Sequence, residues 1–153
     1  MRGVYTGEIK ISGLATAKSL LLATIPTNKV VEILETHVSN SSNETNEQIE
    51  ITWAKVTTLG TPVGTAITPT PTEAGDQAAG LTTFIMNLTT EPTTVSTTLV
   101  HDHEGVPSLT GYHKEPVPEA RLYMTGGDTW VLKNLAALTA ADVVVNVKFR
   151  VIG

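Results

Sequence analysis

Hydrophobic and polar residues alternate strictly along three stretches of this chain. From Asp142 to Ile152, Val143, Val145, Val147, Phe149 and Val151 interleave with Val144, Asn146, Lys148 and Arg150. Successive side chains of a strand point to opposite faces, so a period of two predicts one buried face and one wet face. Near the N-terminus Tyr5, Gly7, Ile9 and Ile11 interleave with Thr6, Glu8 and Lys10. A third stretch sets Ile49, Ile51 and Trp53 against Gln48, Glu50, Thr52 and Ala54.

Further strands follow from β-branched composition and turn signals. Lys18 to Thr24 holds a leucine run closed by Ile25-Pro26-Thr27-Asn28, where Pro removes a ladder donor. Val30 to Ser39 is β-rich, but its apolar phase shifts from Val31 and Ile33 to Leu34 and Val38. Either a bulge or burial of both faces would produce that shift. Leu81 to Leu88, Val95 to His103, Ala120 to Met124 and Thr129 to Leu135 complete the series, the last two separated by the turn Gly126-Gly127-Asp128. Ser39 to Asn46 reads as a polar hairpin connection, solvated and mobile. Helical signal is confined to one possible turn at Ala74 to Ala79, flanked or interrupted by Gly75 and Gly80. Thr68-Pro69-Thr70-Pro71-Thr72 favours extended polyproline geometry and reads as part of a long surface loop. Eight or nine short strands, with turn signals at intervals of about a dozen residues, predict an all-β antiparallel sandwich or barrel. Residues 1–153 read as a single domain, with no repeat and no linker.

Composition narrows the function classes. Only 16% of residues are charged, and 26 of the 153 are threonines, so neutral polar groups must cover the surface. A surface poor in charge resists association weakly, which suits a subunit packed against partners. A net charge of −5 and the lack of any Lys/Arg run argue against nucleic acid as a partner. Cys is absent, so no disulfide framework and no thiolate metal site is possible. That absence favours folding in a reducing cytoplasm. Met1 to Glu8 has no apolar signal core and the longest apolar run, Leu20-Leu21-Leu22-Ala23, is too short for a bilayer. A soluble chain with no membrane partner is expected.

Candidate chemistry is sparse. His101-Asp102-His103-Glu104 would place His101 and His103 on one face of a strand, where two imidazoles could share a metal with His113 or Glu115. An exposed polar strand end accounts for the same residues, and no metal or other cofactor is assigned. No Gly-x-Ser-x-Gly elbow occurs. Gly60-Thr61-Pro62-Val63-Gly64-Thr65 lacks the lysine and helix of a phosphate loop. No catalytic residues are assigned and the chain reads as non-enzymatic. Trp53, Trp130, Tyr112 and Tyr123 could stack on sugar rings. Trp53 falls in phase with Ile49 and Ile51 and is expected in the core, and Trp130 after its turn is expected to anchor a strand end. Tyr112, in the loop Ser108 to His113, is then the free aromatic. The sequons at Asn40, Asn43 and Asn87 matter only in a secretory pathway.

One order of features carries a resemblance. Ile25-Pro26-Thr27-Asn28 precedes Val30-Val31-Glu32-Ile33-Leu34-Glu35, then come a polar Ser/Asn loop and the strand Ile49 to Val56. The Thr68 to Thr72 loop follows with Ala74-Gly75-Asp76-Gln77-Ala78-Ala79, then Thr90-Glu91-Pro92-Thr93 and a β-rich C-terminal strand. From about Lys18 onward this is similar to small virion structural proteins encoded near the capsid genes of tailed bacteriophages. Such proteins often carry Trp or Gly where this chain has His37-Val38-Ser39. The resemblance implies a jelly-roll-like decoration or cement protein, made in the host cytoplasm and bound to the outside of the virion's capsid. Its partners would be other copies of itself, with a trimer favoured, and the major capsid protein. A tail or head-fibre component, or a carbohydrate-binding module using Tyr112 or Trp130, is the alternative. Gly60 to Ala79 and the N-terminal segment are the expected contact regions.

Overall fold

The computed structural model describes residues 2–41 and 46–153. In chain order the strands are β1 (Arg2–Leu14), β2 (Lys18–Thr24), β3 (Val30–Asn40), β4 (Gln48–Thr58), β5 (Val63–Ala66) and β6 (Thr70–Pro71). They continue as β7 (Thr83–Thr90), β8 (Thr94–Pro107), β9 (Tyr112–Lys114), β10 (Tyr123–Met124), β11 (Thr129–Asn134) and β12 (Ala141–Ile152). A single 3₁₀ turn at Pro118–Ala120 is the one helical element among the described residues.

The pairing is nested. β1 pairs with β12, β2 with β11, β3 with β9 and β10, and β4 with β8, all antiparallel. The chain therefore forms one long antiparallel ribbon whose successive rungs fall in opposite sheets. Sheet A has the order β10-β3-β12-β1-β6, with β9 also on β3, and sheet B has the order β5-β7-β2-β11-β4-β8. Ribbon pairs dealt alternately to two sheets make a jelly roll. The segment β5 to β7 is an insertion between β4 and β8 that extends both sheets.

The alternation seen in the sequence becomes the core. From Ala141 to Ile152, every odd-numbered residue is buried and every even-numbered one partly exposed. Tyr5, Trp53, Phe149, Met86, Leu132 and Val145 meet between the sheets, each at most 1% exposed. Phe149 lies 5.8 Å from Tyr5 and 5.6 Å from Phe84, ring centre to ring centre. Gly7 sits in the buried phase of β1 because the Phe84 ring occupies the space its Cβ would take. The buried Trp53 Nε1 donates to Thr36 Oγ1 at 3.2 Å, so the indole is satisfied across the sandwich.

The phase shift in Val30–Asn40 is a bulge. Lys148 stands opposite Glu35 and Phe149 opposite Ile33, which leaves Leu34 as the extra residue. Past it, Thr36 and Val38 take the buried phase begun by Val31 and Ile33.

Several expectations are corrected. There are twelve strands rather than eight or nine, because β5, β6 and β9 hold only two to four residues each. Runs that short display no period. The stretch Gly60 to Ala79 is no free loop: β5 pairs with β7 and β6 pairs with Tyr5 and Thr6 of β1. Tyr5 Oη also donates to Gln77 O at 2.8 Å, and Lys29 Nζ to Ala79 O at 2.9 Å. No helical turn forms at Ala74 to Ala79; a reverse turn closed by Asp76 N to Glu73 O at 3.1 Å precedes extended chain. The Ser39 to Asn46 connection and the sequons at Asn40 and Asn43 run into residues 42–45, which lie outside the described residues.

Candidate functional site

The histidine cluster on β8 is divided by a backbone irregularity. Ile51 faces Glu104 and Trp53 faces His101, so β8 carries one more residue than β4 across that interval. Asp102 absorbs the surplus at φ 53°, the left-handed region that Asp tolerates better than most residues. The strict alternation that would put His101 and His103 on one face is lost there. His103 Nε2 pairs with Glu50 Oε1 at 2.5 Å, whereas His101 Nε2 lies 3.1 Å from Asp102 Oδ2. His113 is on another sheet, 3.1 Å from Glu35 and tilted against His37 with the ring centres 5.1 Å apart. Among the described residues no three His, Asp or Glu side chains are arranged to hold a metal ion.

The aromatic assignments change more. Tyr112, expected free, is 1% exposed on β9, opposite Val38, and belongs to the core. Its burial, with the charges of Asp102 and Glu104 nearby, pushes its phenol well above the ordinary tyrosine range. Trp130 is partly buried against the core. Trp53 is where its phase predicted. The exposed aromatic is Tyr123, at 48%.

Tyr123 opens a row of side chains across the outer face of sheet A. Backbone pairing aligns Tyr123 of β10 with Glu32 of β3, Glu32 with Arg150 of β12, and Arg150 with Val4 of β1. Glu32 is only 2% exposed, yet it is fully partnered. Its Oε1 accepts from Arg121 Nη1 at 2.8 Å and from Tyr123 Oη at 3.1 Å, and its Oε2 from Arg150 Nη1 at 3.1 Å. Burial pushes the Glu32 carboxyl up, but those bonds and the two guanidinium charges outweigh it and hold it below the usual glutamate range. The same bond to Glu32 raises the Tyr123 phenol. Beyond Arg150 lies a cavity of about 600 Å³ against Val4 and Ile152, walled by Thr72, Glu73 and Asp76. Glu32 interrupts an apolar run, Val30 to Leu34, and an acid in such a run is the one sequence signal that could have marked the row. Its partners are 89, 91 and 118 positions away and leave no local trace.

The rest of that face is polar and paired. Asn146 donates to Glu8 at 2.7 Å, Lys148 to Glu35 at 3.0 Å, and Lys10 lies 3.5 Å from Asp142. Sheet B mixes such pairs, His103 with Glu50 and Lys133 with Glu91, with an apolar region. Leu22, Ala54 and Val131 neighbour core residues in sequence and so point to its outer face, where they join Val56 and Leu88 in a second apolar cluster. Ile85 and Val95 pack against it. A cavity of about 290 Å³ opens beside the cluster, lined by Ala54, Val95, Val100, His103, Lys133 and Leu135. Val100 and Leu135 in its lining are 40% and 39% exposed, and Leu99, next to Val100 in the chain, is 52% exposed. β8 also gains three residues over β4 between Val95 and Val100, and Ser96 Oγ gathers that excursion by accepting from Leu99 N at 2.9 Å.

The sheet edges are blunted. Pro62 precedes β5, Pro69 and Pro71 sit at β6, and Pro116 and Pro118 separate β9 from β10. Edge strand β8 is broken in register three times. Proline and bulges deny a neighbouring chain a regular ladder to join.

No protein-family model matches the chain, and no curated protein or solved structure does either.

Proposed function

We propose that this chain is a structural subunit that works by assembly, a decoration or cement protein on the outside of a tailed-phage capsid. The observation that carries the reading is the contrast between its two outer faces. Outside the cavity lined by Glu73 and Asp76, sheet A presents carboxylates and cations that are already paired with one another. Over sheet B the apolar cluster is itself buried, but beside it lie a cavity and three exposed aliphatic side chains, Leu99, Val100 and Leu135. Apolar surface of that kind marks a contact surface more often than a solvated one. The blunted edges favour docking by that face over strand addition. Because Gly60 to Ala79 is bound to the chain's own sheets, the contact moves from that segment to sheet B. The resemblance in the sequence supplies the kind of assembly: a closed homo-oligomer, with a trimer favoured, seated on the major capsid protein.

Light scattering behind a sizing column tests self-association. The wild-type chain is expected to elute as a trimer at tens of micromolar (about 50 μM, near −6 kcal/mol as a dissociation constant). A Leu99→Asp, Val100→Asp double variant is expected to elute as a monomer with an unchanged melting curve. Co-sedimentation with shells of the major capsid protein from the same genome tests attachment. A monomeric wild type that stays in the supernatant would overturn the reading.

A further inference from the structure

We infer that the outer face of sheet A carries a second, independent site: a row that binds a neutral oligosaccharide, running from the Tyr123 ring to the cavity beside Arg150. Three features of the row converge on that ligand class.

The first is a fixed aromatic platform. Tyr123 is the one exposed large aromatic among the described residues, and its hydroxyl is tied to Glu32. A ring held at one end by a hydrogen bond loses little freedom on binding. Its open face offers a surface to the C–H groups of a sugar ring, not to a charge.

The second is a set of polar groups with unused capacity. Arg150 carries five N–H donors, and its bond among the described residues is the one from Nη1 to Glu32. That bond orients the guanidinium and leaves its remaining donors at the cavity wall. Opposite it, the side chains of Thr72, Glu73 and Asp76 line the same cavity and make no hydrogen bond or ion pair among the described residues. Donors on one wall and acceptors on the other suit vicinal hydroxyls, each of which accepts from a guanidinium and donates to a carboxylate. An anionic ligand would meet Glu73 and Asp76, and a cationic one would meet Arg150 and Arg121. A neutral polyol meets neither penalty.

The third is size. A cavity of about 600 Å³ falls within the range of small-ligand sites, about 300–1,000 Å³. From Tyr123 to Val4 the row crosses three strand spacings, roughly 14 Å at about 4.8 Å each. That length accommodates two or three sugar rings, with one on the tyrosine and one in the cavity. The floor between them is Glu32, whose burial and three bonds keep it from shifting.

The test uses the full chain, fluorescently labelled, on a microarray of neutral and sulfated oligosaccharides, followed by calorimetric titration with the best-bound free neutral di- or trisaccharide. Wild type is expected to bind neutral glycans of at least two rings. Tyr123→Ala is expected to weaken that binding at least tenfold, and so is the pair Glu73→Gln, Asp76→Asn. Melting temperature should hold in the Glu73, Asp76 pair, which has no structural bonds to lose. Tyr123→Phe keeps the platform without the bond to Glu32, so retained binding there separates stacking from stability. The inference is overturned if no neutral glycan binds, if only sulfated glycans bind and salt removes them, or if the alanine and amide variants bind as wild type does. None of these outcomes bears on assembly through sheet B.

Discussion

Replacing Glu32 by Ala is the most informative single change for the stability of the sandwich. The carboxylate is 2% exposed and accepts three hydrogen bonds, two of them from guanidinium groups. Removing one partner of a buried charge pair costs about 3–5 kcal/mol when the orphaned charge stays out of water. Here the orphans are the Arg121 and Arg150 side chains, 20% and 43% exposed, so both can rehydrate in part. A loss of about 2–3 kcal/mol is therefore expected, or roughly 5–10 °C in Tm for a domain of this length. Urea unfolding followed by tryptophan fluorescence measures it. The sign of the pH dependence is a second check. The folded carboxyl lies below its ordinary value of 4.5, so as pH falls the unfolded chain takes up the proton first. The contribution of Glu32 is complete above that value and fades as pH drops through it towards the folded pKa. The variant should lose less stability than wild type between neutral and acid pH. A loss under about 0.5 kcal/mol, within the scatter of ordinary surface substitutions, with an unchanged acid slope, would refute the reasoning.

Other outcomes are simpler to state. Gly126→Ala would set a Cβ against the backbone carbonyl of Thr27, which cannot swing aside, and should cost about 1–3 kcal/mol in the same assay. Ala140→Gly should raise stability: Ala140 holds φ 48°, which costs an L-residue about 1–2 kcal/mol, and the added freedom of the unfolded chain returns only part of that. A lower midpoint for that variant would refute the strain. Adding EDTA should leave the melting temperature unchanged, because His103 and His113 are each held by a separate carboxylate; any reproducible drop would restore a metal at this strand end.

What the sequence determined on its own was every element long enough to show a period. β1 and β12 alternate over many residues, and burial of one face forces that pattern whatever the neighbours are; β4 alternates too, although Thr52 and Ala54 on its other face are buried as well. The phase shift in Val30–Ser39 was legible for the same reason, but only the pairing decided that a bulge causes it and that Leu34 is the extra residue. The short strands β5, β6 and β9 were not legible, whereas β10 fell within the strand expected at Ala120 to Met124. β6 and β9 exist because β1 and β3 offer them an edge, not because two or three residues prefer to be extended. The fate of Tyr112 was decided in the same way, by the pairing that turns it inward beside Val38. Both outer faces belong wholly to tertiary structure. Tyr123, Glu32, Arg150 and Val4 become a row only when four strands far apart in the chain align in register. Leu22, Ala54 and Val131 read as ordinary interior residues until the nested pairing gives sheet B a second side. Periodicity fixes which residues of a strand share a face, a local matter of backbone geometry. Which faces then meet, and which are left to bind something else, depends on the order in which the strands pair.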